Sequence, residues 1–276
     1  MNYRHAFHAG NFADLVKHAV LGSAMARLTG QGPPLLALDT HAGAGLYRLD
    51  AAAARASGEA DAGIARLMAH ADPPAPLKAL KAAVARLNPN GGHRLYPGSP
   101  RLIADALRPA DRLVACELRG DEAGRLRQAL KGGKAEILVQ DGYAVAVQRA
   151  TARQRLFVLI DPPFERADDY ARAAEAAKAV LGRNPAATIM VWLPLKDLET
   201  FDGFLRRLEA GLAPPALVAE ARLTPLDDPM RMNGCALVVI NPPAGLEADA
   251  AAVCDWVVRI CGGPGGEARV WRLGAG

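Results

Sequence analysis

Residues 34–45 read PLLALDTHAGAG: a short apolar run, an acidic residue at its end, then two glycines one residue apart. The run has the length and apolar density of a strand buried on both faces, and Gly43 and Gly45 permit a tight turn after it. Working outward, the same form recurs at RLVACE (112–117), AEILVQ (135–140), LFVLI (156–160), ATIMVWL (187–193), ALVAEARL (216–223) and CALVVI (235–240). Segments of helical period separate these runs. In 168–182, Tyr170, Ala173, Ala174, Ala177 and Leu181 share one helix face, and in 246–261 Leu246, Val253, Trp256, Val257 and Ile260 do so. Alternation of this kind predicts an α/β fold with a seven-stranded, mostly parallel sheet and helices on both faces.

The chain of 276 residues is 51% hydrophobic, enough for one large core. A formal charge of +4 permits a nucleic-acid partner without requiring one. Cys116, Cys235, Cys254 and Cys261 are scattered without a CxxC pair and read as reduced thiols. No apolar run is long enough to span a bilayer and the N-terminal stretch lacks the order of a signal peptide, so a cytoplasmic location and no membrane partner are expected. The segment 50–92 is Ala-rich and helical where one crossover helix would suffice. It reads as an inserted helical subdomain, with Leu77, Leu80, Val84 and Leu87 as its apolar stripe, dividing a core of 1–49 and 93–276.

In an open parallel sheet, ligands sit at the carboxyl ends of the strands. Glu117 ends the second strand and could accept from both hydroxyls of a ribose, although a helix cap would use it equally well. Asp141, in QDG (140–142), could accept from an adenine amino group. In YPGSP (96–100), Ser99 and Pro100 read as the N-cap and first position of a helix whose free N–H groups could seat a carboxylate. No diphosphate-cradling GxGxxG follows the first strand. Together these strand ends suit S-adenosyl-L-methionine, with S-adenosyl-L-homocysteine as product, better than a dinucleotide.

LFVLIDPPFE (156–165) and ALVVINPPAG (236–245) both run from a strand into a Pro-Pro step. An exocyclic amino nitrogen is a poor nucleophile because its lone pair is delocalised into the base. Asp161 and the carbonyl of Pro162 could accept its two hydrogens and draw the lone pair out, with Phe164 stacking on the base. Asn241 is expected to be structural. Ala244 cannot stack, and the strand before it is expected to run antiparallel, which points its end away from the crevice.

The stretch YRHAFHAGNFADLVKH (3–18) holds His5, His8 and His18, and His41 lies in the glycine turn. Asp14 is the only close acid and no cysteine is near, so no metal site is expected. Tyr3, Arg4, Lys17 and His18 read instead as an aromatic and basic arm for a base or phosphates.

This stretch, with LDTHAGAGLY, YPGSP, DG and DPPF in that order, closely resembles the RlmJ family of bacterial 23S ribosomal RNA adenine-N6 methyltransferases over nearly the whole chain. The resemblance implies a Rossmann-like class I methyltransferase core with an inserted helical subdomain. It further implies that His18, His41, Ser99, Glu117, Asp141, Gly142 and Asp161 contact the cofactor, that Asp161 accepts the proton, and that Tyr3 touches RNA. Gly43 in the turn and Lys17 beside His18 are added as cofactor-binding candidates. The family motif commonly ends in Tyr where this chain has Phe164. A DNA adenine methyltransferase and a non-catalytic RNA-binding protein of the same fold are the rival readings. The expected partner is 23S ribosomal RNA, with no obligate protein partner and a monomeric state.

Overall fold

The computed structural model describes residues 7–210, 214–228 and 232–273. In chain order the elements are α1 (Phe12–Gly30), β1 (Leu35–Asp39), β2 (Leu46–Arg48), α2 (Ala52–Ser57), α3 (Glu59–Ala62), α4 (Ile64–Ala69), α5 (Ala75–Leu87), β3 (Leu95–Pro97) and α6 (Ser99–Ala106). They continue with β4 (Arg112–Cys116), α7 (Gly120–Ala129), β5 (Ala135–Leu138), α8 (Gly142–Arg149), β6 (Arg155–Ile160), α9 (Asp169–Arg183) and β7 (Thr188–Leu195). The last are α10 (Leu198–Glu209), β8 (Ala216–Arg222), β9 (Gly234–Ile240), α11 (Leu246–Cys261) and β10 (Glu267–Leu273).

The main sheet has eight strands, in the order β10-β8-β9-β7-β6-β1-β4-β5. The seven expected from sequence are all present, and β10 is the addition. It pairs antiparallel with β8 at the sheet edge, and most of its residues are only partly covered, so it lacks the dense apolar run that marks its neighbours. From β5 to β7 the strands are parallel, and β9 runs antiparallel to both β7 and β8.

Successive residues of the parallel strands point to opposite faces and enter different cores. Leu35, Ala37, Phe157 and Leu159 pack with α1, α5, α6 and α11 on one side, while Leu36, Leu38, Val158 and Ile160 pack with α8, α9 and α10 on the other. The chain reverses its direction of growth at β1, with β4 on one flank and β6 on the other, and ligands collect at such a switch point.

The excursion after β1 leaves through β2 and returns through β3, which pair as a separate two-stranded antiparallel sheet. Helices α2 to α5 lie between them. Leu77, Leu80 and Val84 of α5 are buried and join the same core as α1, so the excursion is packed onto the sheet's helical layer. No helix among the described residues is long and apolar enough to cross a membrane.

Candidate active site

A cavity of about 380 Å³ opens at the carboxyl ends of the parallel strands, within the size range of small-ligand pockets. Its lining includes Lys17 and His18 from α1, His41 and Gly43 after β1, Ser99 at the start of α6, Glu117 after β4, Gly142 at the start of α8, and Asp161, Pro162 and Phe164 after β6. Residues far apart in sequence meet there because each follows, or packs behind, a strand next to the switch point.

The centre of the site is a buried charge triad. Helix α1 is covered on nearly all sides, and three of its buried residues, Asp14, Lys17 and His18, are ionisable. Such groups are costly to bury unless paired. Lys17 Nζ lies 2.9 Å from Asp14 Oδ1 and 2.8 Å from Asp161 Oδ2. Burial acts to lower the Lys17 pKa, but the attraction of Asp14 and Asp161 and their hydrogen bonds outweigh it, so the ammonium is held well above its ordinary value. The Lys17 ammonium also lies 5.9 Å from the Trp192 ring centroid. His18 Nδ1 is 2.8 Å from the Tyr96 hydroxyl, and its Nε2 is 3.8 Å from Asp14 Oδ1.

The glycine turn is shaped by contact. Gly43 has φ +59°, and a Cβ there would stand 2.3 Å from the Tyr47 hydroxyl. Gly142 admits no side chain either, since a Cβ would lie 2.0 Å from the Thr40 carbonyl oxygen. Glu117 is pinned by two backbone N–H donors: Gly43 N at 3.0 Å on Oε2 and Arg119 N at 2.8 Å on Oε1. Burial raises its pKa against the pull of those two bonds.

Ser99 departs from its expected role. The N-cap of α6 is Gly98, and Ser99 is the first helical residue, so its hydroxyl does not cap. It donates instead to Asp39 Oδ2 at 2.7 Å, while His41 N donates to Asp39 Oδ1 at 3.2 Å. Asp39 is fully buried, and burial lifts its pKa to about 7. Burial has the opposite effect on the His41 imidazole and lowers it to about 4. Asp141 lies off the cavity wall. It caps α8 by accepting from Tyr143 N at 2.9 Å, and its Oδ2 accepts from Arg172 at 2.9 Å.

Phe164 adopts φ +50°, a region a bulky residue rarely occupies and one associated with active sites. Its ring packs 4.6 Å from Tyr170 and 5.8 Å from Trp192, centroid to centroid. Asn241 shares the positive φ but has other work, since its Nδ2 donates to the Pro185 carbonyl at 2.8 Å and the Ala187 carbonyl at 2.9 Å. Those bonds tie the end of antiparallel β9 to the turn before β7. Asn241 does not line the cavity.

Tyr3, Arg4 and His5 lie outside the described residues. Among the described residues, no group of three or more His, Cys, Asp or Glu side chains could hold a metal ion. Sequence reasoning missed several wall residues. Asp14 carried a signal only as a lone acid in a histidine-rich stretch, and Trp192 and Glu59 carried none.

The chain as a whole has relatives among known proteins. Residues 32–273 match the family described as Ribosomal RNA large subunit methyltransferase D, RlmJ. The chain is 34% identical over 259 residues to Ribosomal RNA large subunit methyltransferase J of Escherichia coli K12, covering 93% of this chain and 92% of that protein. Its identity to the Haemophilus influenzae protein of the same name is 32%, over 94% and 93% of the two chains. A solved Legionella pneumophila protein superposes with a TM-score of 0.88 at 27% identity, covering 97% of this chain and 99% of that one. A probable spermidine synthase of Corynebacterium glutamicum, at 12% identity and TM-score 0.52 over 95% and 82% of the chains, shares the fold alone. With a match that runs from before β1 to the end of β10 and takes in the whole sheet, the chain belongs to the RlmJ family of large-subunit ribosomal RNA methyltransferases.

Proposed function

We propose that this chain transfers a methyl group from S-adenosylmethionine to the N6 amino group of an adenine in 23S ribosomal RNA, acting in the cytoplasm as a monomer. One observation carries the reading: Asp161, Pro162 and Phe164 face the same cavity as Glu117, the Gly43 turn and the first turn of α6.

The residues suit the cofactor by the chemistry of their donors and acceptors. Each Glu117 oxygen takes one backbone N–H, and a carboxylate has further lone pairs for the two hydroxyls of a ribose. The backbone at Gly43 lacks the side chain that would close the turn, and the first-turn N–H groups of α6 suit a carboxylate. When bound, S-adenosylmethionine supplies an electrophilic methyl group. His18, His41, Gly142 and Lys17 complete the surrounding wall, with Asp141 acting from behind by capping α8.

The chain's own residues prepare the nitrogen. Asp161 Oδ2 is taken by Lys17, which leaves Oδ1 to accept one amino hydrogen while the Pro162 carbonyl accepts the other. Hydrogen bonds in that geometry pull the lone pair out of conjugation, and Phe164 stacks on the extruded ring. Asp14, Lys17 and Asp161 together carry a net charge of −1, so the triad favours the positive charge that develops on the nitrogen. Asp14 offsets the ammonium, which leaves the Asp161 carboxylate to receive the proton directly or through solvent. Tyr3 and Arg4 precede the described residues and are assigned to RNA contact.

The test is nucleoside mass spectrometry on large-subunit ribosomal RNA incubated with S-adenosylmethionine and the purified enzyme. N6-methyladenosine should rise with wild type and not with Asp161→Asn. A methylated product other than N6-methyladenosine would overturn the assignment.

A further inference from the structure

The cavity crosses four adjacent strand ends. Glu117 follows β4, Gly43 follows β1, Asp161 follows β6 and Lys196 follows β7, which is also the order of those strands in the sheet. Neighbouring strands lie roughly 4.8 Å apart, so three steps set the ends of β4 and β7 on the order of 14 Å apart. Glu117 therefore stands at one end of the crevice and Lys196 at the other, with the Asp161 carboxylate between them. Phe164 belongs to the Lys196 side. Its ring packs on Tyr170, whose hydroxyl donates to the Pro194 carbonyl at 3.1 Å near the end of β7.

The charges on this wall are unequally committed. Five carboxylates and three Lys or Arg side chains line the cavity. Lys17 is buried between Asp14 and Asp161, and Arg119 pairs with Asp121 at 3.0 Å. His8, on the same wall, lies 2.8 Å from Glu59. Lys196 is exposed, and among the described residues its ammonium has no ion-pair or hydrogen-bond partner. The acid beside it in sequence is already engaged, since Asp197 caps α10 and accepts from Thr200 N at 2.7 Å and Thr200 Oγ1 at 3.0 Å. The backbone that carries Lys196 is nonetheless held. Asn233, buried just before β9, donates from Nδ2 to the Lys196 carbonyl at 3.1 Å and from its backbone N to the Leu195 carbonyl at 2.9 Å.

A base that leaves its stack and packs on Phe164 brings its phosphates to the rim of the cavity. A wall richer in carboxylates than in cations repels that backbone unless a cation meets it. We propose that Lys196 binds a phosphate of the RNA strand next to the extruded adenine and so fixes the strand on the side of the site away from the cofactor. This rests on the reading that an adenine of RNA enters beside Phe164.

The test measures equilibrium binding of unmethylated large-subunit ribosomal RNA over a range of salt concentrations, steady-state methylation, and cofactor binding by calorimetry. It compares wild type with Lys196→Ala, Lys196→Arg and Lys134→Ala. The last removes the same charge just before β5, at the amino end of the parallel strands. Because the Lys196 side chain is exposed, its replacement should leave the fold intact. Lys196→Ala should raise the RNA dissociation constant and KM by about fivefold to tenfold and lower the slope of log affinity against log salt by about 0.7–0.9, with kcat within about twofold and cofactor affinity unchanged. Lys196→Arg should stay near wild type, and Lys134→Ala should leave the slope unchanged. An unchanged slope in Lys196→Ala or an equal fall in Lys134→Ala would overturn the proposal. So would a loss of cofactor affinity in Lys196→Ala, which would assign the ammonium to the cofactor carboxylate. Product analysis on wild type separates the two readings. Without N6-methyladenosine the function reading falls and the adjacent phosphate contact with it, whereas N6-methyladenosine together with an unchanged slope removes the phosphate contact alone.

Discussion

Lys17 Nζ sits between two carboxylates, 2.9 Å from Asp14 and 2.8 Å from Asp161, and its side chain is 6% exposed. The Asp161 carboxylate is therefore half of a largely buried ion pair whose other half comes from the first helix. Asp161→Asn keeps the shape and leaves Lys17 with Asp14, so the fold should survive while methyl transfer falls by about a thousandfold or more, roughly 4 kcal/mol at 1.4 kcal/mol per decade. Lys17→Met should instead cost about 3–5 kcal/mol of stability, because it strands carboxylates in a buried site. Chemical denaturation combined with single-turnover kinetics distinguishes the two. Full activity in Asp161→Asn would remove the mechanism.

Phe164 makes a different prediction, because its ring and its backbone can be tested apart. Phe164→Tyr keeps the ring and should stay within severalfold of wild type. Phe164→Ala loses a stacking surface worth about 1–3 kcal/mol per base, so kcat/KM for RNA should fall by about tenfold or more. Phe164→Gly should lose the same activity but be at least as stable as the Ala variant, since glycine adopts φ +50° without strain. A Tyr variant as impaired as the Ala variant would mean that the ring packs against Tyr170 and Trp192 and does not meet the base.

The second Pro-Pro step separates structure from chemistry. Asn241→Ala deletes two side-chain bonds, to Pro185 and Ala187, and leaves a Cβ residue at positive φ. It should lower stability by about 1–3 kcal/mol with turnover per folded molecule unchanged. Thermal denaturation and active-site titration check both halves. Loss of turnover in fully folded protein would give Asn241 a role in the reaction.

Asp39 and His41 give opposite pH signatures. Burial raises Asp39 from an ordinary 3.8 to about 7, so the folded protein keeps a proton that the unfolded chain has lost, and this contribution to stability declines as pH rises from about 4 to about 7. His41, lowered by burial from 6.5 to about 4, lacks a proton that the unfolded chain binds, so its contribution grows as pH rises from about 4 to 6.5. In wild type the two slopes oppose each other. Asp39→Asn removes the first, so the unfolding free energy of the variant relative to wild type should climb between about pH 4 and 7, by at most about 1.4 kcal/mol per pH unit. A flat difference across that range, measured by urea denaturation, would show that Asp39 ionises normally in the fold.

Why some of this was legible in sequence and some was not follows from burial and spacing. Strands such as β1 and β6 are covered on both faces and read as unbroken apolar runs. In β10, Glu267, Arg269 and Arg272 are exposed and interrupt the run, as the edge of the sheet allows. Strands β2 and β3 have three residues each, too few for a period to show. The site followed the same rule. Glu117 and Asp161 announce themselves at strand ends, and DPPF and the glycine turn are local patterns. Asp14 and Glu59 matter through partners brought close only by folding, and no local spacing encodes those contacts. Ser99 shows the converse error, since its sequence context is that of a cap and tertiary contact diverts its hydroxyl to Asp39.

The placement of β1 has a consequence in time. The strand is made early but lies mid-sheet, and its hydrogen-bonding edges are completed by β4 and β6, which are synthesised much later. At about 5–20 residues per second, a growing chain spends several seconds with β1 unpartnered and Lys17 without Asp161. A half-made chain on the ribosome therefore lacks the triad altogether, and chemical competence arrives only after the sixth strand has docked beside the first.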